Sequence, residues 1–440
     1  MMKYFTLVLL FIGLISCDKK ESTIVKNEEN PNETPSTVSK SGTTTLSLRN
    51  VSVDWIGSHN NNLYASDINN GNYLVRINTI DRKVNLIKKY SSAVRFQVIS
   101  DYVHSNGDIY SFAKTDQNNL GIKKMDADGN IIWAKKIKLT IGIYAVPADV
   151  TPRTIKLING HLWALCNFML FKINPQNGEV LQHTTIGDLG SRWTYGADII
   201  KAGDHIMLQM GGNHLRFYIL KTSDLSIIKY VVTELSINPS TGFFTNTILD
   251  AGDNRFFALT GYVLQGSLFP RAIIVEFDGD GKILNSALMK DGLDQFEVTR
   301  VHRDKEGNYC VSYSATIELA TNIKTKDVLI FDKNLELKHK VSLPANINGS
   351  AISFDNNMAT MLKYDLIANR LTVEWIDMQK PACKVATMPT YIKLENLAFK
   401  TPSVTLGGTF LQHTITFNGT EDLTISTENI NITQQVTTCN

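Results

Sequence analysis

Seven copies of one pattern divide this chain at intervals of about 49 residues, and that spacing restricts the fold more than any other feature. Each copy has a short apolar strand, a polar turn, a second strand opening on apolar or aromatic residues, a third strand, another turn and a fourth strand. The first turn recurs at His59-Asn-Asn-Asn62, Ser105-Asn-Gly-Asp108, Asn159-Gly-His161, Gly203-Asp-His205, Gly252-Asp-Asn254, Lys305-Glu-Gly-Asn308 and Asp355-Asn-Asn357. The later turn recurs at Asp126-Ala-Asp-Gly129, Asn174-Pro-Gln-Asn-Gly178, Thr222-Ser-Asp224, Asp278-Gly-Asp-Gly281 and Asp332-Lys-Asn334, with weaker copies at Thr79-Ile-Asp81 and Asp377-Met-Gln379. Asn-Gly and Gly-Asp pairs supply the positive φ that tight hairpins require.

A single four-stranded sheet of this kind cannot bury both faces, but sheets packed in a closed series can. The expectation is an all-β chain, a seven-bladed β-propeller of four-stranded antiparallel blades over residues 45–390. Residues 391–440 alternate without matching the repeat, and are expected to form a small C-terminal β appendage, with a degenerate eighth blade as the alternative. The insertions Thr260–Arg271 and Ala315–Lys326 read as long loops between second and third strands.

The N-terminus carries a different signal. Lys3 precedes an apolar run from Tyr4 to Ile15, then Ser16-Cys17. At about a dozen residues the run is too short to span a bilayer, which takes about 20. A basic start, a short apolar core and a small residue before the cut describe a secretory signal over residues 1–16. The ending Leu14-Ile15-Ser16-Cys17 resembles the lipobox of bacterial lipoproteins, which implies acylation at Cys17 and a place in the cell envelope, on the outer membrane. A plain signal peptide with an incidental Cys17 is the alternative. Residues 17–44 have two prolines and no apolar periodicity, and read as a disordered tether. Cys166 and Cys310 read as small buried residues, and Cys383 and Cys439 either bridge or stay thiols.

Leu170-Phe-Lys-Ile-Asn-Pro-Gln-Asn-Gly-Glu-Val-Leu181 and Lys124-Met-Asp-Ala-Asp-Gly-Asn-Ile-Ile-Trp133 resemble the PQQ-like, or quinoprotein-type, propeller repeat. That family closes its repeat with tryptophan. Here it stands at Trp133, while the matching places read Gln182, Asn285 and Lys338. The resemblance implies a propeller scaffold of the kind found in exported lipoproteins, and leans away from quinone enzymology. No cofactor is expected.

The chemistry-bearing residues are dispersed. Lys+Arg 44 against Asp+Glu 42 gives a net charge of +2, which argues against a nucleic-acid partner. The nine histidines lack metal-ligand spacing, and no metal is expected. The two Asp-x-Asp-Gly turns have the start of a calcium loop without its later ligands, so turn chemistry is the expectation. The segments that join one repeat to the next carry aromatics and arginines: Arg95, Phe96, Tyr144, Arg192, Trp193, Tyr195, Phe243, Phe244 and Arg300. Loops on a rigid scaffold are where binding concentrates. The expected role is therefore a binding or scaffold module for a glycan, peptide or protein partner. A propeller enzyme acting on glycans or through a quinone, and a structural part of an outer-membrane complex, are the alternatives.

Overall fold

A computed structural model describes residues 42–47, 53–67, 73–115, 119–141, 151–167, 169–186, 195–211, 215–233, 239–264, 270–290, 296–303, 308–318, 323–332, 337–343, 348–355, 358–365, 370–377, 393–396, 403–406, 415–432 and 434–438. Within some strands only the backbone is described. The leader, Cys17, the rest of the expected tether up to residue 41, Cys383 and Cys439 lie outside these residues.

The chain is all-β: the regular structure of the described residues is strand, arranged in seven antiparallel sheets. Sheet two shows the plan, with Gln97–Val103, Ile109–Lys114, Leu120–Met125 and Ile131–Ile141 side by side in chain order. Sheets one, three, four, five and six repeat it, opening on Val53–His59, Pro152–Ile158, Tyr195–Ala202, Pro239–Gly252 and Phe296–Arg303. Their fourth strands are Lys83–Ser92, Val180–Thr185, Ile227–Thr233, Ile283–Lys290 and Leu337–Leu343. The turns behave as their residues dictate. Asn60, Asn159, Asp253 and Asn254 sit at φ of 51°, 50°, 55° and 56° in the first hairpin. Asp126 Oδ1 accepts from the amides of Asp128 and Asn130 at 2.9 and 2.8 Å, and Asp278 Oδ1 accepts from Asp280 and Lys282 at 3.0 and 2.9 Å. These carboxylates hold their own turns.

Sheet seven is assembled from both ends of the chain. Asn348–Asp355, Met358–Asp365 and Arg370–Asp377 supply three strands, and Gly42–Ser47 pairs with the last of them. The expected tether boundary at residue 44 therefore moves. Thr44 and Leu46 are buried and the alternating Thr43 and Thr45 are more exposed, the period-two signature of a strand.

Sheets one to four each bury one face against the sheet before and the other against the sheet after, sheet seven standing before sheet one. Leu162 and Trp163 are consecutive on a second strand, so they point to opposite faces, and both are 0% exposed. Leu162 joins Tyr110, Phe112 and Ile122 of sheet two, whereas Trp163 joins Ile206 and Leu208 of sheet four. Similar clusters join sheets four and five, one and two, and seven and one. First strands neighbour one another in the order of the sheets from one to six. Sheet six then meets sheet seven, and the first strand of sheet seven lies beside that of sheet one.

Polar side chains stitch the same seams. Tyr64 and Arg76 of sheet one donate to Ala127 O at 3.2 and 3.0 Å, and Tyr90 donates to Gly129 O at 2.9 Å. Trp133 Nε1 donates to Pro175 O at 3.1 Å, and Gln182 Nε2 to Ser223 O at 2.9 Å. In each case a sheet grips the later turn of the next. The register pairs Met125 with Ile131 and Phe331 with Leu337, so the residue matching Trp133 in sheet six is His339, one place beyond the expected Lys338.

Asp198 ties three sheets at their first strands. Its carboxylate lies 2.7 Å from Lys156 Nζ of sheet three and accepts the amide of Ile248 of sheet five at 2.7 Å, while also accepting that of Ile199 at 2.8 Å.

The C-terminal residues do not form an appendage of their own, contrary to expectation. Lys393–Asn396 pairs with the fourth strand of sheet five, Ser403–Leu406 with that of sheet four, Ile415–Asp422 with sheet two and Ile425–Asn429 with sheet one. Gln434–Thr438 pairs with Gly42–Ser47 in sheet seven. The alternation seen in the sequence is that of edge strands, each needing a different partner. The side-chain amide of Gln434 also continues a ladder: it accepts from Val84 N at 3.1 Å and donates to Val84 O at 3.2 Å. The expected long loops in repeats five and six are likewise mostly strand, in Arg255–Leu264 with Pro270–Asp278 and Tyr309–Glu318 with Ile323–Phe331.

Removing Asp198 leaves Lys156 and the Ile248 amide without their acceptor. Asp198→Ala is expected to cost about 3–5 kcal/mol, read from the shift of the urea unfolding midpoint. A loss below about 1 kcal/mol would show that the carboxylate does not join the sheets.

Candidate functional site

The first strands share an irregularity. Register shifts of one residue fall between Trp55 and Gly57, Val98 and Ser100, Pro152 and Thr154, Gly196 and Asp198, Thr245 and Thr247, and Val298 and Arg300. Sheet seven has a wider shift between Asn348 and Ala351. A bulge bends its strand and re-aims a side chain, and bulges recur beside binding and catalytic sites. The extra residues of sheets two and three, Ile99 and Arg153, are both exposed.

Two arginines stand where the chain enters these first strands, each steered by a side-chain amide. Arg95 is exposed, and its Nη2 donates to Gln97 Oε1 at 3.0 Å. Arg153 is exposed, and its Nε donates to the side-chain oxygen of the buried Asn167. The backbone amide of Asn167 in turn donates to Thr151 O at 3.1 Å, so the acceptor is itself fixed. An oriented guanidinium is a planar fork of donors whose geometry suits carboxylates and other paired acceptors. Sequence reasoning found Arg95 through its neighbour Phe96. It missed Arg153, which has no aromatic beside it and whose place at the bulge between Pro152 and Thr154 shows only in the register.

Phe96 is placed differently from the expectation. It is 8% exposed and packs with Val98 and Ala113, over Gly121, under the tail residues Leu423 and Ile425. Any side chain at position 121 would meet Phe96, so that glycine makes room for the ring. Exposing an aromatic costs several kcal/mol, and here packing between sheets takes it.

Beneath Phe96 lies Lys123, 2% exposed. Its ammonium sits 4.0 Å from the ring centre of Tyr90 and 5.2 Å from that of Phe96. Asp101 lies close enough to favour the charge, and Ser66 Oγ donates to Asp101 at 2.5 Å. The register sets Asp101 opposite Ser111, and Ser111 opposite Lys123. Burial dominates and pushes the ammonium down to about 8, with Asp101 opposing the shift. The same burial holds the Tyr90 hydroxyl protonated well above the ordinary phenol range, with the nearby charges of Asp101 and Asp126 adding to it.

The remaining expected residues divide into two groups. Tyr144, Arg192 and Trp193 lie outside the described residues. For Tyr195, Phe243, Phe244 and Arg300 the backbone is described and the side chains are not. Tyr195 opens the first strand of sheet four, and Arg300 follows the bulge in sheet six. The register sets Phe243 opposite Tyr262, Phe244 opposite Gly261, and Tyr262 opposite Arg271. Cys166 is buried in the core between sheets two and three, and the side chain of Cys310 is not described.

No protein-family model matches this chain. No curated protein compared with it matches either.

Lys123 gives the fold a pH dependence. The native state holds this proton less tightly than the unfolded chain, so Lys123 lowers stability in full below about pH 8 and regains it as pH rises towards its ordinary value of 10.5. The stability of the native chain relative to Lys123→Met is expected to rise by about 2 kcal/mol between about pH 7 and pH 9.5, measured by urea unfolding at each pH. A flat difference would mean that the buried ammonium keeps its solution behaviour.

Proposed function

We propose that this chain is a seven-bladed β-propeller, held at the cell envelope by acylation at Cys17, that binds a glycan, peptide or protein partner through the segments entering its first strands. What carries this reading is the pair of amide-steered, exposed guanidiniums, Arg95 and Arg153, at the entries to successive sheets. A cation held in one orientation has already lost the rotamer freedom that binding otherwise removes. The support for the propeller is the succession of neighbouring first strands that returns from sheet seven to sheet one. The support for a binding role over a merely structural one is that both arginines are exposed to solvent.

The carboxylates, ring faces and paired acceptors of acidic sugars and peptides match this chemistry. The joining segment Arg192-Trp193-Tyr195 belongs to the same proposed rim by its place in the repeat. Alanine at Arg95 and Arg153 together is expected to weaken capture on a glycan and peptide array at least tenfold, about 1.4 kcal/mol or more, with an unchanged melting temperature. Alanine at Arg192, Trp193 and Tyr195 should act in the same direction. Equal capture by native and variant chains would remove the rim from consideration, and a sharp fall in melting temperature would assign these residues to packing.

A further inference from the structure

We propose that the end of the fold carrying the later turns rests on a lipid bilayer, through a row of aliphatic side chains that runs across sheets one to five. Among the described residues five large apolar side chains are exposed: Ile80, Ile99, Ile132, Leu181 and Leu284. Such residues scattered singly are ordinary. Four of these five are not scattered. Ile132, Leu181 and Leu284 occupy one place in the repeat, the extra residue of a bulge at the start of the fourth strand, in sheets two, three and five. Ile228 holds that place in sheet four and is half-buried. Ile80 lies in the later turn of sheet one. The hairpin does not require an aliphatic residue there, because Asn85 and Lys338 fill the same place in sheets one and six.

The path of the chain says what that end faces. In sheet seven Gly42–Ser47 takes the place of a fourth strand, with Gly42 opposite Trp375, just before the third strand ends at Asp377. In the other sheets the third strand ends at the later turn. The residues that precede Gly42, Cys17 among them, therefore join the fold at the end where the aliphatic row lies. The inference rests on the proposed reading for its anchor at Cys17. A tether over residues 18–41 reaches about 80 Å at full extension, at about 3.3 Å per residue, so it does not itself select the face that meets the membrane. The aliphatic row selects it, as apolar side chains do on proteins that lie in the interface. Two exposed carboxylates at this end have cations beside them, Asp128 at 2.6 Å from Arg76 and Asp280 at 3.3 Å from Lys229. These pairs leave no excess of positive charge at the two turns, so the surface that fits is zwitterionic rather than anionic. Antiparallel order puts the entries to the first strands, with Arg95 and Arg153, at the opposite end, away from the bilayer.

The test uses the full-length chain on phosphatidylcholine vesicles whose acyl chains carry bromine, a quencher of tryptophan fluorescence. The probes are Ile132→Trp and Leu181→Trp, with Ile99→Trp, on a first strand, as the control, and the emission of the native chain is subtracted from each. The expected result is strong quenching of the first two probes and little of the third. Adding Ile80→Asp with Leu284→Asp should reduce the quenching of Ile132→Trp roughly twofold or more, at unchanged melting temperature and with unchanged ligand capture at the Arg95 rim. Equal quenching of all three probes, none of the first two, or indifference to the two aspartates would overturn the proposal and leave the row to a protein partner. The face is read whichever segment holds the chain to the vesicle. The mass of the chain reports acylation at Cys17 separately, so this inference and the proposed anchor fail in distinguishable ways.

Discussion

Apolar residues on both faces of sheets one to four set the terms for the rest of this structure. Consecutive strand residues point to opposite sides, so a run such as Leu162-Trp163-Ala164-Leu165, wholly buried, demands a neighbour on each side. A sheet satisfied on one face alone would leave half of that run in water. The molecule meets the demand by serial packing, and sheet three contributes to two seams at once. Side chains then fasten those seams to backbone carbonyls, as Trp133 does at Pro175 and Gln182 at Ser223. The fastening atom differs from repeat to repeat while its target, the later turn of the next sheet, stays the same. That is why the repeat tolerates loss of its tryptophan.

The sheets were legible in the sequence because hairpins need particular residues at particular places. Asn159-Gly160 and Asp278-Gly-Asp-Gly281 announce turns through backbone chemistry that is local. The strands that close sheets from a distance were not legible. Thr43-Thr44 reads as polar linker until Arg370–Asp377 lies beside it, and nothing nearby in sequence says so. The tail failed for the same reason. Its alternation was visible, but alternation reports an extended strand and not its partner.

The site was legible in part. Arginines in joining segments marked Arg95, but the adjacent aromatic misled, because Phe96 serves the seam between sheets one and two. Bulges were invisible, since one inserted residue shifts a short alternating pattern no further than ordinary sequence noise does. Lys123 was also unreadable. Its flanking residues, Ile122 and Lys124, give no hint that the middle residue lies against Tyr90. Burying a lysine there costs stability near neutral pH, and the two rings and Asp101 offset part of that cost.

Gly42–Ser47 lies between Arg370–Asp377 on one edge and Gln434–Thr438 on the other. An N-terminal strand whose flanks both come from far along the polypeptide stays unmatched until Arg370–Asp377 has been made. The nascent chain can collapse sheet by sheet as it leaves the ribosome, but sheet seven waits for Arg370–Asp377 and then Gln434–Thr438. A message that stops before codon 370 therefore yields a product whose first strand has nothing of sheet seven to join.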